Sequence, residues 1–240
     1  MNRTKIEYLN FTWNPIAGCS GIGCAVRKEC WARAQSKRRK WRCTLCYVFK
    51  PHLHKERLHE PLQRKKSSRI GVTFSGDFFD IGMHPNWQQD VLEIIEKCPW
   101  HIFILLTKQP QNIPKWFDYE SPKNLWIGVS INRKADLWRL EKLKQLITEH
   151  KLSSFEPLYE DLGAINLKSI DWVIIGAQTK PLWKPDIAWV QKIMERAHSV
   201  NAKVFLKNNL WQKQLNVDSI FDGVPKIQEF PKVPQILSSL

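Results

Sequence analysis

Short apolar, β-branched runs recur along the chain at residues 70–74, 102–106, 125–129, 152–155, 172–175 and 204–206. Several are continuous rather than alternating, the pattern of parallel strands covered on both faces. Amphipathic helical segments lie between them. Residues 86–98 put Trp87, Val91, Leu92, Ile94 and Ile95 largely on one face, and residues 135–147 repeat the pattern. Asp186 can cap a third helix after Pro185, with Ile187, Val190, Met194 and Ala197 facing inward. With residues 8–13 as a first strand, the chain holds about seven strand–helix repeats. This alternation predicts an α/β fold with a parallel sheet. The repeat count favours a single-domain (β/α) barrel over residues 1–240, full or partial, with an open doubly wound sheet as the alternative.

The residues just after each strand are polar. Ser75, Gly76 and Asp77 come after one run, and Thr107, Lys108 and Gln109 after the next. Ser130 and Asn132, Glu156 and Pro157, Gly176 with Gln178 and Thr179, and Lys207 with Asn208 and Asn209 come after the others. In a parallel barrel these positions share the C-terminal rim, where active sites of such folds are built. Loops are polar anyway, so a mixed set of cationic, anionic and amide groups counts for more than any single residue.

Length and composition narrow the class. A chain of 240 residues that is 43% hydrophobic can bury a full core, which excludes global disorder. No apolar run approaches the roughly 18–20 residues of a membrane span, and the first residues lack the apolar stretch of a signal peptide. The expectation is a soluble, cytoplasmic protein with no membrane partner. Nothing fits a nucleophile elbow, a Walker loop or a Rossmann glycine fingerprint, so hydrolase, NTPase and dehydrogenase readings have no support.

Charge and cysteine change the picture, because both concentrate in one place. Residues 25–69 carry 15 Lys and Arg against three acids, while the rest of the chain holds 22 basic and 20 acidic residues. A local excess this large points to an anionic partner, a solvated basic helix being the plainer alternative. The cysteines run Cys19-x4-Cys24-x5-Cys30-x12-Cys43-x2-Cys46, which defines a Cys-rich basic insert over residues 19–69 after the first strand. Without an export signal, such a cluster binds metal rather than forming disulfides. Cys24, Cys30, Cys43 and Cys46 would make a closed zinc site. Three thiolates would instead hold an iron–sulfur cluster with one iron open, and the spacing leaves both open. Cys98 stands apart in an apolar-periodic segment and reads as a core residue.

His52 and His54 come soon after the last cysteine. They read first as loop histidines bonded to backbone, with metal ligation as the alternative. Trp31, Trp41, Tyr47 and Phe49 interleave with Arg33, Arg38, Arg39, Arg42 and Lys50. Cations for phosphates and rings for bases compose a surface for nucleic acid or a nucleotide. Alternatively Trp31 and Trp41 cover the metal site, or the cations dock an acidic electron donor or other protein partner. The extension over residues 211–240 reads as an extended cover.

A cysteine loop after the first strand resembles the radical-SAM type of partial (β/α) barrel. More closely, the chain resembles a family of phage and prokaryotic proteins known by a three-cysteine motif. The matching stretches include Thr4-Lys5-Ile6-Glu7, Thr12-Trp13-Asn14-Pro15 leading to Gly18-Cys19, and the run from His54 to Leu62. They continue with Gly76-Asp77-Phe78-Phe79, Leu106-Thr107-Lys108, Gly128-Val129-Ser130, Phe155-Glu156-Pro157-Leu158 and the run from Asp171 to Gly176. The resemblance implies a [4Fe–4S] cluster on three thiolates and S-adenosylmethionine chelated at the open iron. One-electron cleavage of that cofactor would give a 5′-deoxyadenosyl radical that abstracts hydrogen from a substrate. Ser75, Gly76 and Asp77 would then face the cofactor's amino group, and Ser130 and Gln178 its ribose or carboxylate oxygens. Glu156, Lys108 and Lys207 would bind substrate or move protons. Two departures stand out. The family spaces its second and third cysteines two residues apart, which fits Cys43 and Cys46 by spacing but Cys24 and Cys30 by position, and Lys180 stands where relatives often have glycine. Two readings remain: a radical-SAM-type enzyme acting on a nucleotide or nucleic acid, and a non-catalytic, zinc-stabilised nucleic-acid-binding protein.

Overall fold

The computed structural model describes residues 1–39, 42–212 and 221–232. Trp41 of the insert and the Val233-Pro234 end of the expected cover lie outside them. The chain divides into two compact units, one formed chiefly by Met1–Ile127 and the other by Gly128–Leu146 with His150–Pro231. Both are mixed α/β with mostly parallel strands.

In the first unit, β1 (Asn2–Arg3), β2 (Phe11–Trp13) and β3 (Ile16–Ala17) lead into the insert. The insert carries α1 (Trp31–Ser36) and α2 (Thr44–Val48) and closes on β4 (His52–Leu53). Then come β5 (Arg69–Val72), α3 (Pro85–Glu96), β6 (Ile102–Thr107) and α4 (Phe117–Glu120). The unit ends within β7 (Leu125–Ser130). Its sheet runs β1-β2-β5-β6 and on to the first half of β7, with β2, β5 and β6 parallel and β1 antiparallel at the edge.

The second unit takes the other half of β7, then α5 (Trp138–Lys144), β8 (His150–Phe155) and β9 (Trp172–Ile175). A small hairpin of β10 (Gln178–Thr179) and β11 (Leu182–Trp183) precedes α6 (Ile187–Ser199) and β12 (Lys203–Leu206). Strands β8, β9 and β12 pair in parallel. In each unit the parallel strands follow chain order, with β3–β4 and β10–β11 set aside as separate ladders, and without the reversal that marks a doubly wound sheet.

The continuous apolar runs are buried as their pattern requires. All six residues of β7 and all four of β9 are buried. Trp13 meets Phe103 at 5.8 Å in the first core, beside Phe78, Phe79 and Phe117, and Trp172 meets Phe205 in the second at 6.4 Å. Cys98 is fully buried, and burial pushes its thiol up to about 11.

Element boundaries shift where polar groups intervene. The strand expected over residues 70–74 ends at Val72, because Thr73 takes a left-handed φ of 56° and turns the chain. The strand expected from residue 8 begins only at Phe11, since Leu9 N donates to Ile6 O at 3.0 Å in a turn. The helix expected over residues 135–147 splits into a 3₁₀ turn, Lys134–Asp136, and α5. There Asp136 accepts from Asn132 N at 3.1 Å and pairs with Arg139 at 3.0 Å, fixing a tight turn ahead of the helix. Asp186 caps α6 as expected, accepting from Ala188 N at 2.7 Å.

Candidate metal centre

The insert is closed at its base by a two-residue ladder in which Ile16 faces Leu53 and Ala17 faces His52. His54 N extends it, donating to Pro15 O at 2.6 Å. Residues two apart on an extended segment share a face, so this ladder aims His52 and His54 the same way. They face the first turn of α2. Cys43 is the N-cap of that helix, and its sulfur accepts from Cys46 N at 3.4 Å, which brings both sulfurs of the C-x2-C pair to one end. Phe49 ends the helix at a φ of 60° and turns the chain back towards β4.

Four donor atoms therefore meet: the sulfurs of Cys43 and Cys46 and the Nε2 atoms of His52 and His54, all within 4.8 Å of one another. Cys43 Sγ lies 3.5 Å and Cys46 Sγ 3.4 Å from His52 Nε2, and Cys46 Sγ lies 3.2 Å from His54 Nε2. A tetrahedral zinc with ordinary bond lengths separates sulfur from nitrogen by about 3.5 Å and nitrogen from nitrogen by about 3.3 Å. The sulfur–nitrogen contacts match. The two ring nitrogens are closer, at 2.8 Å, so an ion would spread them by about half an ångström.

The remaining ring nitrogens settle the tautomers. His52 Nδ1 lies 2.7 Å from Lys50 O and His54 Nδ1 lies 2.9 Å from Glu56 Oε1. A carbonyl and a carboxylate only accept, so each Nδ1 must carry the proton. The two Nε2 atoms are then the ones that face each other and the thiols. Burial, followed by the nearby Arg57 and His52, lowers the His54 pKa and disfavours a second proton there. Two lone pairs at this distance repel unless a cation lies between them. The backing of ligand histidines by a carbonyl and a carboxylate is also the usual second layer of a zinc site. Cys46, His52 and His54 are 4%, 5% and 7% exposed, so three of the four donor residues are buried.

Of the zinc quartet expected from the sequence, Cys43 and Cys46 belong to this set, and His52 and His54 take the other two places. It is the one such group among the described residues. Of the preferred reading of the histidines, the backbone bond is found at His52 Nδ1 alone, and His52 stands on β4 rather than in a loop. Cys24 and Cys30 are half-buried, Cys24 in a turn with its N–H on Gly21 O and Cys30 at the N-cap of α1. Cys19 follows Gly18, which bridges Gly76 so closely that a Cβ on Gly76 would sit 2.3 Å from Gly18 O, while one on Gly18 would sit 2.3 Å from Lys50 O. Burial, then Asp77 and Asp80, pushes the Cys19 thiol up to about 12.

The rim residues fall in both units. In the first, Asp77 is buried and accepts from Thr107 Oγ1 at 2.6 Å, Lys108 N at 2.8 Å and Phe79 N at 3.1 Å. It ties the loop after β5 to the end of β6, and burial raises its pKa. Ser75 N donates to Asn14 Oδ1 at 2.8 Å. In the second unit, Glu156 and Lys207 form an ion pair beside Gly176, where a Cβ would meet both side chains. Tyr159 donates its hydroxyl to Gln178. Ser130 is buried, with its carbonyl accepting from Arg139 at 2.8 Å. On the insert, Trp31 is 55% exposed and Tyr47 is also exposed, among exposed Arg33, Arg38, Arg42 and Lys50; Phe49 is buried.

Residues 3–221 match the model of a family described as protein of unknown function (DUF5131), and the chain belongs to that family. No curated protein and no solved structure matches the chain. No helix among the described residues is long and apolar enough to cross a membrane.

Proposed function

We propose that this chain is a zinc-stabilised nucleic-acid-binding protein. One zinc ion on Cys43, Cys46, His52 and His54 holds the insert, and the insert's cations and exposed rings contact the nucleic acid. The observation that carries this reading is the meeting of four donors with both histidine tautomers set for ligation. Four protein ligands leave no open position, which favours a structural over a catalytic ion. The scaffold that goes with it is a (β/α) barrel, full or partial, supported by parallel strands in chain order within each unit. Zinc analysis of the purified protein and its affinity for oligonucleotides test the proposal together. One zinc per chain and binding that weakens steeply with salt are expected. Metal-free folded protein, or no salt-sensitive binding, would overturn it.

A second reading keeps the resemblance to radical-SAM barrels. It rests on Cys19, which lies within electrostatic reach of Cys30 and of Asp77 in the loop after β5. Here Cys19, Cys24 and Cys30 hold a [4Fe–4S] cluster, leaving Cys43 and Cys46 to zinc. The cluster would supply the electron that activates S-adenosylmethionine. Ser75, Gly76, Asp77, Ser130 and Gln178 would contact that cofactor, and Lys108, Glu156 and Lys207 the substrate. Anaerobic iron reconstitution tests it, and failure to take up iron would remove it.

A further inference from the structure

A cavity of about 260 Å³ opens against the thiol side of the centre, lined by Asn2, Asn14, Arg42, Arg57 and Glu60 together with the two cysteines. Its chemistry is dominated by donors. Asn14 is 9% exposed, and its Oδ1 accepts from Ser75 N, which leaves the amide nitrogen as the group with no partner among the described residues. Arg57 is anchored at both ends: its carbonyl accepts from Trp13 Nε1 at 2.8 Å, and its Nη1 lies 3.4 Å from Asn14 O, while its Nε lies 3.5 Å from the exposed carboxylate of Glu56 and leaves the guanidinium only partly neutralised. Arg42 is exposed and, unlike Arg57, pairs with no carboxylate among the described residues. The one acid in the lining, Glu60, pairs with the N-terminal ammonium.

Two guanidinium groups and a free amide converging on a small polar space suit a tetrahedral oxyanion. The volume decides which kind. Pockets for drug-sized molecules begin at about 300 Å³, so this one holds a phosphate with little beyond its sugar. An internal phosphodiester carries one charge and needs chain exits on both sides. A terminal phosphate carries about −1.5 to −2 at neutral pH and needs one exit, which matches two guanidinium groups. A zinc ion with two thiolates is neutral overall and would not repel it. We infer that this cavity is a phosphate-monoester site that takes the terminal phosphate of a nucleotide or oligonucleotide. The inference rests on the proposed metal centre, whose cysteines form one wall.

Fluorescence anisotropy on the zinc-loaded full chain tests it, comparing one labelled oligonucleotide with and without a 5′-phosphate. Metal content is measured on the same samples, so loss of zinc and loss of phosphate recognition are read separately. The phosphorylated strand is expected to bind about ten-fold tighter, the scale of one or two hydrogen bonds to a charged group. R42Q should erase the difference with zinc content unchanged. A 5′-mononucleotide that competes as well as the oligonucleotide assigns the site to free nucleotides, and one that competes poorly assigns it to strand ends. Equal binding of both strands, or a preference that survives both R42Q and R57Q, would overturn the inference.

Discussion

The insert and the parallel sheet of the first unit are held together by different means. In the sheet, Ile70, Val72, Phe103, Ile104 and Leu105 are essentially inaccessible, and the strands need no other support. Between Cys19 and Lys50 the insert buries, among the described residues, only Ala32, Ser36, Cys46 and Phe49 and exposes Ile22, Trp31, Leu45, Tyr47 and Val48. Its helices, Trp31–Ser36 and Thr44–Val48, are far shorter than the roughly 12–15 residues that make an isolated helix even marginal in water. A segment this small, rich in like charges, lacks the apolar area to order itself, and the proposed ion on four side chains would supply what the core does not. The sheet is a product of burial, while on the proposed zinc reading the insert is a product of ligation.

That contrast can be broken most decisively by removing the metal. Chelation should expose the insert to proteolysis within residues 25–50 while the strand signal in circular dichroism persists, since structural zinc contributes about 10–16 kcal/mol of binding free energy at pH 7. Identical digestion with and without chelator would abolish the distinction. Next in size, Phe103→Ala should cost about 3–5 kcal/mol in denaturant unfolding and leave zinc stoichiometry untouched. A loss of zinc in that variant would mean that the two regions are not independent. Glu56→Gln removes the carboxylate behind His54 Nδ1 and should lower zinc affinity by about 10- to 100-fold in competition with a chromophoric chelator. Smallest is Asp186→Ala in the second unit. Loss of the cap on α6 should cost about 1 kcal/mol and change nothing at the metal.

The two regions also differed in how far the sequence disclosed them. Continuous apolar runs marked the parallel strands because burial on both faces leaves a local imprint; boundaries shifted where a polar turn cut a run short, as at Thr73, and where polar residues extended one, as at His150 and Lys151 of β8. The cysteine cluster located the metal region, but its spacing could not choose the ligands. That choice depends on the pairing of Ile16–Ala17 with His52–Leu53, a two-residue ladder between distant segments that no local periodicity announces. A signal was nevertheless present: His52 and His54 alternate about Leu53 shortly after Cys43-x2-Cys46, the spacing of two rings on one face of an extended strand. Lys50 and Glu56, which set the tautomers, sit two residues before His52 and two after His54 and carried no separate mark.

Metal content of protein purified without oxygen, measured for the native chain and for His54→Ala, Cys46→Ser and Cys24→Ser, tests the central claim most directly. The account predicts one zinc per chain, lost in His54→Ala and Cys46→Ser and retained in Cys24→Ser. About four irons per chain with a broad absorption near 400 nm, kept in His54→Ala and lost in Cys24→Ser, would contradict it.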